Sequence, residues 1–167
     1  MLVTDIDHTI ADVGAIEFLT SKPEDVKTLP NAEPVLTRLA QTYAIVYLTH
    51  RDDTFTHATK AWLRHHKFPP GAVLFSDTSK HLFIGSAESG KTDRIGVLRQ
   101  TFKWIAFGVG DRKEDGIAYA NNNIRSFVIV PAWVDPKSKD AREGQHEKTE
   151  LVAGWDEVEA LLKAAGG

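Results

Sequence analysis

The feature that most constrains this chain is a rhythm of short apolar runs separated by amphipathic stretches, sustained from Met1 to about Val130. A parallel sheet with crossover helices produces that rhythm, because its strands are buried on both faces and its helices on one. Met1–Ile6, Ala44–Leu48, Ala72–Phe75, Trp104–Val109 and Ile124–Val130 read as strands. Ala32–Thr42 carries Val35, Leu36, Leu39 and Ala40 at helical spacing, and Thr54–His66 sets Ala58, Ala61, Trp62 and His65 along one side. Pro69-Pro70-Gly71 breaks the second of these helices. Lys91–Phe102 and Arg112–Asn121 are the other predicted helices.

After Trp133 the composition changes. Asp135–Glu150 is almost wholly polar and contains Pro136 and Gly144, which predicts a solvated loop. Trp155–Ala165 then offers Val158, Leu161 and Leu162 for a closing helix. No repeat, low-complexity segment or linker interrupts the pattern before residue 134, so residues 1–167 are expected to form one domain. A chain of this length buries about 70% of its unfolded surface. With 20 basic and 23 acidic residues the formal charge is −3, which gives no overall basic field for nucleic acid or an anionic membrane. The absence of cysteine excludes disulfides, a thiol nucleophile and thiolate metal sites. No apolar run approaches the ~20 residues of a membrane span, and Asp5 and Asp7 interrupt the N-terminus where a signal peptide would be apolar. A cytoplasmic domain is the default expectation.

Polar residues recur at the C-terminal ends of the predicted strands, the edge of an open parallel sheet where ligands bind. Asp5-Ile6-Asp7-His8-Thr9 follows the first strand. One of its carboxylates can attack phosphorus while the other handles the proton of the leaving oxygen. Burying both is costly without a cation, and a hard ion such as Mg²⁺ fits oxygen ligands, with Asp111 completing its shell. An ordinary helix-capping turn is the alternative for this short motif. Thr49 after the second strand can donate to a phosphate oxygen, joined by the His50 amide and the Arg51 fork. Taken alone, such a Thr is a turn or cap residue. His8 and His50 lack partner histidines at ligand spacing and are placed beside substrate rather than on a metal. Gly108-Val109-Gly110-Asp111 permits a tight turn after the fourth strand, and Asp115, one helical turn on, can hold Lys91 or a metal-bound water.

Gly85–Thr92 matches the phosphate-loop pattern G-x4-G-K-T, with the apolar Leu82–Ile84 ahead of it. That opens an alternative, a nucleotide-binding ATPase. Against it, the loop lies past mid-chain, Leu82–Ile84 is short for a central strand, and Asp5 and Asp7 would have no task. Lys91 is better placed as a cation at a helix start that bonds the phosphoryl group touched by Thr49.

The ordered set Asp5-x-Asp7-x-Thr9, Thr49, Lys91 and Gly110-Asp111-x3-Asp115 resembles the four motifs of the haloacid dehalogenase-like phosphohydrolases, over most of the chain. The resemblance implies a Rossmann-like three-layer α/β sandwich with a mainly parallel sheet of order 5-4-1-2-3. It implies Asp5 as nucleophile forming an aspartyl phosphate, Asp7 as general acid and base, and Thr49 and Lys91 as phosphate ligands. Mg²⁺ would be held by Asp5, the Asp7 carbonyl and Asp111, with Thr9, Gly110 and Asp115 supporting. His8 stands where that family usually has Gly or Asp.

Only short segments fit between Asp12 and Ala32 and between Asp77 and Gly90, so no cap domain is expected. An open site suits a bulky phosphoester, or an oligomer whose neighbour supplies the lid. Tyr47–Arg51 with Phe68–Gly71 is similar to lipin-type phosphatidate phosphatases, and Thr59–Leu63 after Thr49-x-Arg51 to polynucleotide-kinase-type phosphatase domains. Asp7 argues against dehalogenation, because a departing halide needs no proton. The expected activity is Mg²⁺-dependent phosphomonoester hydrolysis on a lipid, nucleotide, polynucleotide or other phosphate, with a non-catalytic binding module as a further alternative.

Overall fold

Leu2 and Val3 are both fully buried, on opposite faces of β1 (Leu2–Thr4), and this places the first strand inside the sheet. A computed structural model describes residues 1–76 and 87–165. Around β1 lie β2 (Ile45–Asp52), β3 (Gly71–Ser76), β4 (Phe107–Gly110), β5 (Arg125–Ile129) and β6 (Thr149–Val152). All neighbours pair in parallel, in the order β3-β2-β1-β4-β5-β6. The first five strands thus take the order 5-4-1-2-3 implied by the motif resemblance, and β6 extends the sheet beyond β5.

The helices are α1 (Ala15–Thr20), α2 (Ala32–Leu39), α3 (Thr56–His65), α4 (Ala87–Thr101), α5 (Lys113–Asn121), the four-residue α6 (Lys139–Arg142) and α7 (Trp155–Ala165). Strand alternation sorts the core into two clusters. Leu2, Ile45, Tyr47, Phe107 and Phe127 pack with Val35, Leu36, Trp62, Trp155 and Val158 on one side. Val3, Val46 and Leu48 meet Ile95, Ala118 and Tyr119 on the other. The result is a three-layer, Rossmann-like α/β fold. Among the described residues no helix is long and apolar enough to cross a membrane.

Several boundaries differ from the sequence expectation. Where Asp135–Glu150 reads as a loop, the chain forms α6 and then opens β6 at Thr149. A polar strand is tolerated at a sheet edge: Arg125 on β5 donates to Glu150 at 2.8 and 2.5 Å, and the Ser126 and Thr149 hydroxyls lie 3.1 Å apart. β2 does not halt at Leu48 but continues to Asp52, past a register irregularity against β3. β4 starts only at Phe107, because Trp104 is 86% exposed and outside the ladder. On α3 the buried set is Thr59, Trp62 and Leu63 rather than a stripe through His65. α4 begins at Ala87, which sets Lys91 one turn inside the helix. Helical backbone over Ala87–Gly90 also leaves no open glycine loop in the second half of Gly85–Thr92. Its first half, the expected apolar run Leu82–Ile84 and most of the Asp77–Gly90 connection lie outside the described residues.

Candidate active site

Parallel pairing brings the C-terminal ends of β1, β2 and β4 side by side, and the acidic residues follow directly. Asp5 leaves β1 with its backbone N–H still bonded to Val109 O of β4 at 2.9 Å. Its Oδ1 accepts the Ile6 N–H at 2.7 Å, and its Oδ2 accepts from Lys91 Nζ at 2.7 Å. Lys91, 2% exposed, also donates to Asp115 Oδ1. Burial alone would lower the Lys91 pKa, but the two carboxylates outweigh it and hold the ammonium above its ordinary value. Asp115 Oδ2 accepts the backbone N–H groups of Asp111 and Arg112 at 3.1 Å each, which ties the β4 turn to the first turn of α5. A methyl group at Gly110 would overlap the Asp115 carboxylate, so only glycine lets the turn pass this close.

One oxygen from each of Asp5, Asp111 and Asp115 can be chosen so that the three lie within 4.8 Å of one another. Asp5 and Asp115 share the Lys91 ammonium, and Asp111 has Arg112 Nε 3.8 Å from its Oδ2. Burial first, then the charges of Asp5 and Asp115, push the Asp111 carboxyl up to about 7. A divalent cation fits this donor set, which is all oxygen and carries surplus negative charge. Asp5 and Asp115 both have their two oxygens engaged, Asp5 by the Ile6 N–H and Lys91 and Asp115 by Lys91 and the turn.

These groups line a cavity of about 160 Å³ together with Asp7, His8, Gly14, Ala15, His50, Arg112 and Glu114. His8 occupies the left-handed region at φ 53°, a conformation that Gly, Asn or Asp adopts at lower cost. His50 lies on the cavity wall, where desolvation first, and then the Lys91 and Arg94 cations, lower its pKa and favour neutral imidazole.

Two expectations are corrected. Arg51 does not reach the cavity: it is 2% exposed, and its guanidinium forks onto Asp7 instead. Thr49 is fully buried and is not on the cavity wall either. Its Oγ1 accepts the Arg51 N–H at 3.1 Å and donates to Asp7 Oδ2 at 3.4 Å. The extension of β2 past Leu48 is the cause, since it keeps both side chains among strand and helix neighbours. Thr9 is likewise buried, with its carbonyl bonded by Trp155 Nε1 at 2.7 Å. Arg94, Arg112, Glu114, Gly14 and Ala15 were not singled out by the sequence reading. Arg94 follows Lys91 by three residues on α4, so helical spacing could have found it; its Nη1 donates to Thr49 O at 3.0 Å.

The same fold is found in several solved phosphatase structures. D,D-heptose 1,7-bisphosphate phosphatase from B. bronchiseptica, complexed with magnesium and phosphate, is similar with a TM-score of 0.70 at 14% identity, over 98% of both chains. The cobalt-bound deoxy-D-mannose-octulosonate 8-phosphate phosphatase from Haemophilus influenzae is similar with a TM-score of 0.58 at 15% identity, over 99% of this chain and 88% of that one. A chain of the Pnkp1/Rnl/Hen1 RNA repair complex is similar with a TM-score of 0.61 at 15% identity, over 77% of this chain and 42% of that one. No curated protein matches the sequence. Residues 2–129 match the family described as PITM 1-3, LNS2 domain, and the chain belongs to that family.

Proposed function

We propose that the protein is a divalent-cation-dependent phosphomonoester hydrolase that works through a covalent phosphoryl group on Asp5. The observation that carries this reading is the gathering of Asp5, Asp111 and Asp115, two of them bonded to Lys91, in a cavity that Asp7 also lines. Asp5 attacks phosphorus in line with the leaving oxygen, the P–O bond to that oxygen breaks, and an aspartyl phosphate remains. Asp7 gives the leaving oxygen its proton, then takes one from the water that cleaves the acyl phosphate. Lys91 has three N–H donors; Asp5 and Asp115 engage two of them, and a phosphoryl oxygen would compete for this ammonium. Asp5, Asp111 and the Asp7 carbonyl are proposed to hold Mg²⁺. When bound, it offsets the repulsion between a phosphate dianion and a carboxylate nucleophile.

A cavity of about 160 Å³ is smaller than the ~300–1,000 Å³ of sites that enclose a whole small ligand. It seats a phosphoryl group and leaves the rest of the ester outside, which suits an accessible or bulky lipid, nucleotide or polynucleotide phosphate. A cytoplasmic location, and a second copy of the chain closing the open cavity, go with this reading. The test is a hydrolysis screen of lipid, nucleotide, sugar and protein phosphates, with Mg²⁺ and with a chelator. Phosphate release from at least one class, lost on chelation, is the expected result. A folded protein that turns over nothing would instead be a binding module, and turnover indifferent to chelation would remove the cation from the reaction.

A further inference from the structure

Arg51 takes no part in the reaction as written, yet it is a closely held cation next to the cavity. Its guanidinium is fully buried at the end of β2. Nε donates to both Asp7 oxygens at 3.2 Å, and Nη2 donates to Asp7 Oδ1 at 2.8 Å. Nη1 donates to Thr59 Oγ1 of α3 at 3.0 Å, and the Phe18 ring of α1 lies 3.6 Å from the guanidinium carbon. Three elements therefore fix a planar fork, and a planar fork fixes the plane of the carboxylate it grips. A surface ion pair would be screened and free to rotate; this one is neither. Gly14 and Ala15 line the cavity just ahead of Phe18, so one short segment borders both the substrate seat and the fork.

We propose that Arg51 is the positioning residue of Asp7: it sets the direction of the carboxylate that transfers protons, and Phe18 and Thr59 hold it in register. The proposal rests on the phosphatase reading and on Asp7 as the proton-transfer group. Proton transfer needs its heavy atoms within about 2.6–3.2 Å, so a carboxylate free to swing loses most of its effect. The loss depends on the leaving group. An alkoxide needs a proton to depart, whereas a nitrophenolate leaves without one.

The experiment compares kcat/KM for the wild type, Arg51→Met, Arg51→Lys and Phe18→Leu on an alkyl phosphate and on p-nitrophenyl phosphate, with Mg²⁺. This ratio reports the step that breaks the ester bond and not the hydrolysis of the aspartyl phosphate common to all esters. Arg51→Met is expected to lower kcat/KM at least about 100-fold on the alkyl ester and less than about 10-fold on the aryl ester. Arg51→Lys keeps the charge but not the fork and is expected to show the same selectivity, as is Phe18→Leu with a smaller loss. If Arg51→Met does not fold, those two variants carry the comparison. Urea midpoints of Arg51→Met, Asp7→Asn and the double variant report the fork without turnover, and the double shift is expected to be smaller than the sum of the single shifts. Equal losses on both esters, or additive midpoints in an active enzyme, overturn the proposal alone. A wild type inactive on every ester overturns the phosphatase reading and the role of Arg51 with it.

Discussion

At the scale of single residues the site is a problem of charge. Asp5, Asp111 and Asp115 crowd together and two of them, Asp5 and Asp115, bond one buried ammonium, so removing that ammonium strands two buried carboxylates. Lys91→Met is expected to cost about 3–5 kcal/mol of stability in urea unfolding at neutral pH. Asp111 gives a pH dependence whose sign follows from its direction of shift. Its carboxyl, pushed up to about 7, keeps a proton in the folded protein that the unfolded chain has already lost. In metal-free protein this group therefore erodes stability as pH rises from about 4 to about 7 and adds no further loss above that. A cation binds the ionised form, so saturating Mg²⁺ is expected to raise the Tm more at pH 8 than at pH 5.5. An equal gain at both values would detach Asp111 from the ion. Asp5, Lys91, Asp111 and Asp115 were legible because each stands at a fixed distance from an apolar run that can only be a buried strand or helix. The Asp7–Arg51 fork was not legible, since residue spacing says nothing about which way a carboxylate turns once the chain leaves the sheet.

At the scale of elements, the last helix reaches into the site from outside the family-matched residues. Trp155 opens α7, is 1% exposed, and donates to the Thr9 carbonyl in the loop that follows Asp5 and Asp7. Arg38 of α2 clips the same helix through Glu159, with both bonds at 2.7 Å. Trp155→Ala is expected to cost about 3–5 kcal/mol in urea unfolding and to lower kcat by loosening the Asp5–Thr9 loop. A large stability loss with unchanged kcat would confine α7 to the core. Apart from α1, which lies in the stretch between Asp12 and Ala32 read only as a short segment, strand and helix existence was readable through β5, because apolar runs and 3.6-residue stripes mark burial. β6 was hidden: an edge strand has little core to face, and Thr149 and Glu150 find their partners on β5 rather than in apolar contact. The early start of α4 was hidden too, because Glu88-Ser89-Gly90 carries weak helical signals and a glycine that imitates a phosphate loop.

At the scale of the molecule, parallel pairing does the assembling. Residues more than a hundred positions apart meet because strands that run the same way end on the same edge, and there Asp5 from β1 meets Asp111 and Asp115 from the β4 turn. The sheet thereby gathers scattered acidic residues into one pocket. The most direct test is hydrolysis of p-nitrophenyl phosphate in Mg²⁺ by the wild type and by Asp5→Asn, with circular dichroism to show that both are folded. We expect turnover by the wild type and a loss of at least about 1,000-fold in the variant, since an amide cannot form the acyl phosphate. Undiminished turnover by a folded Asp5→Asn protein would contradict the account.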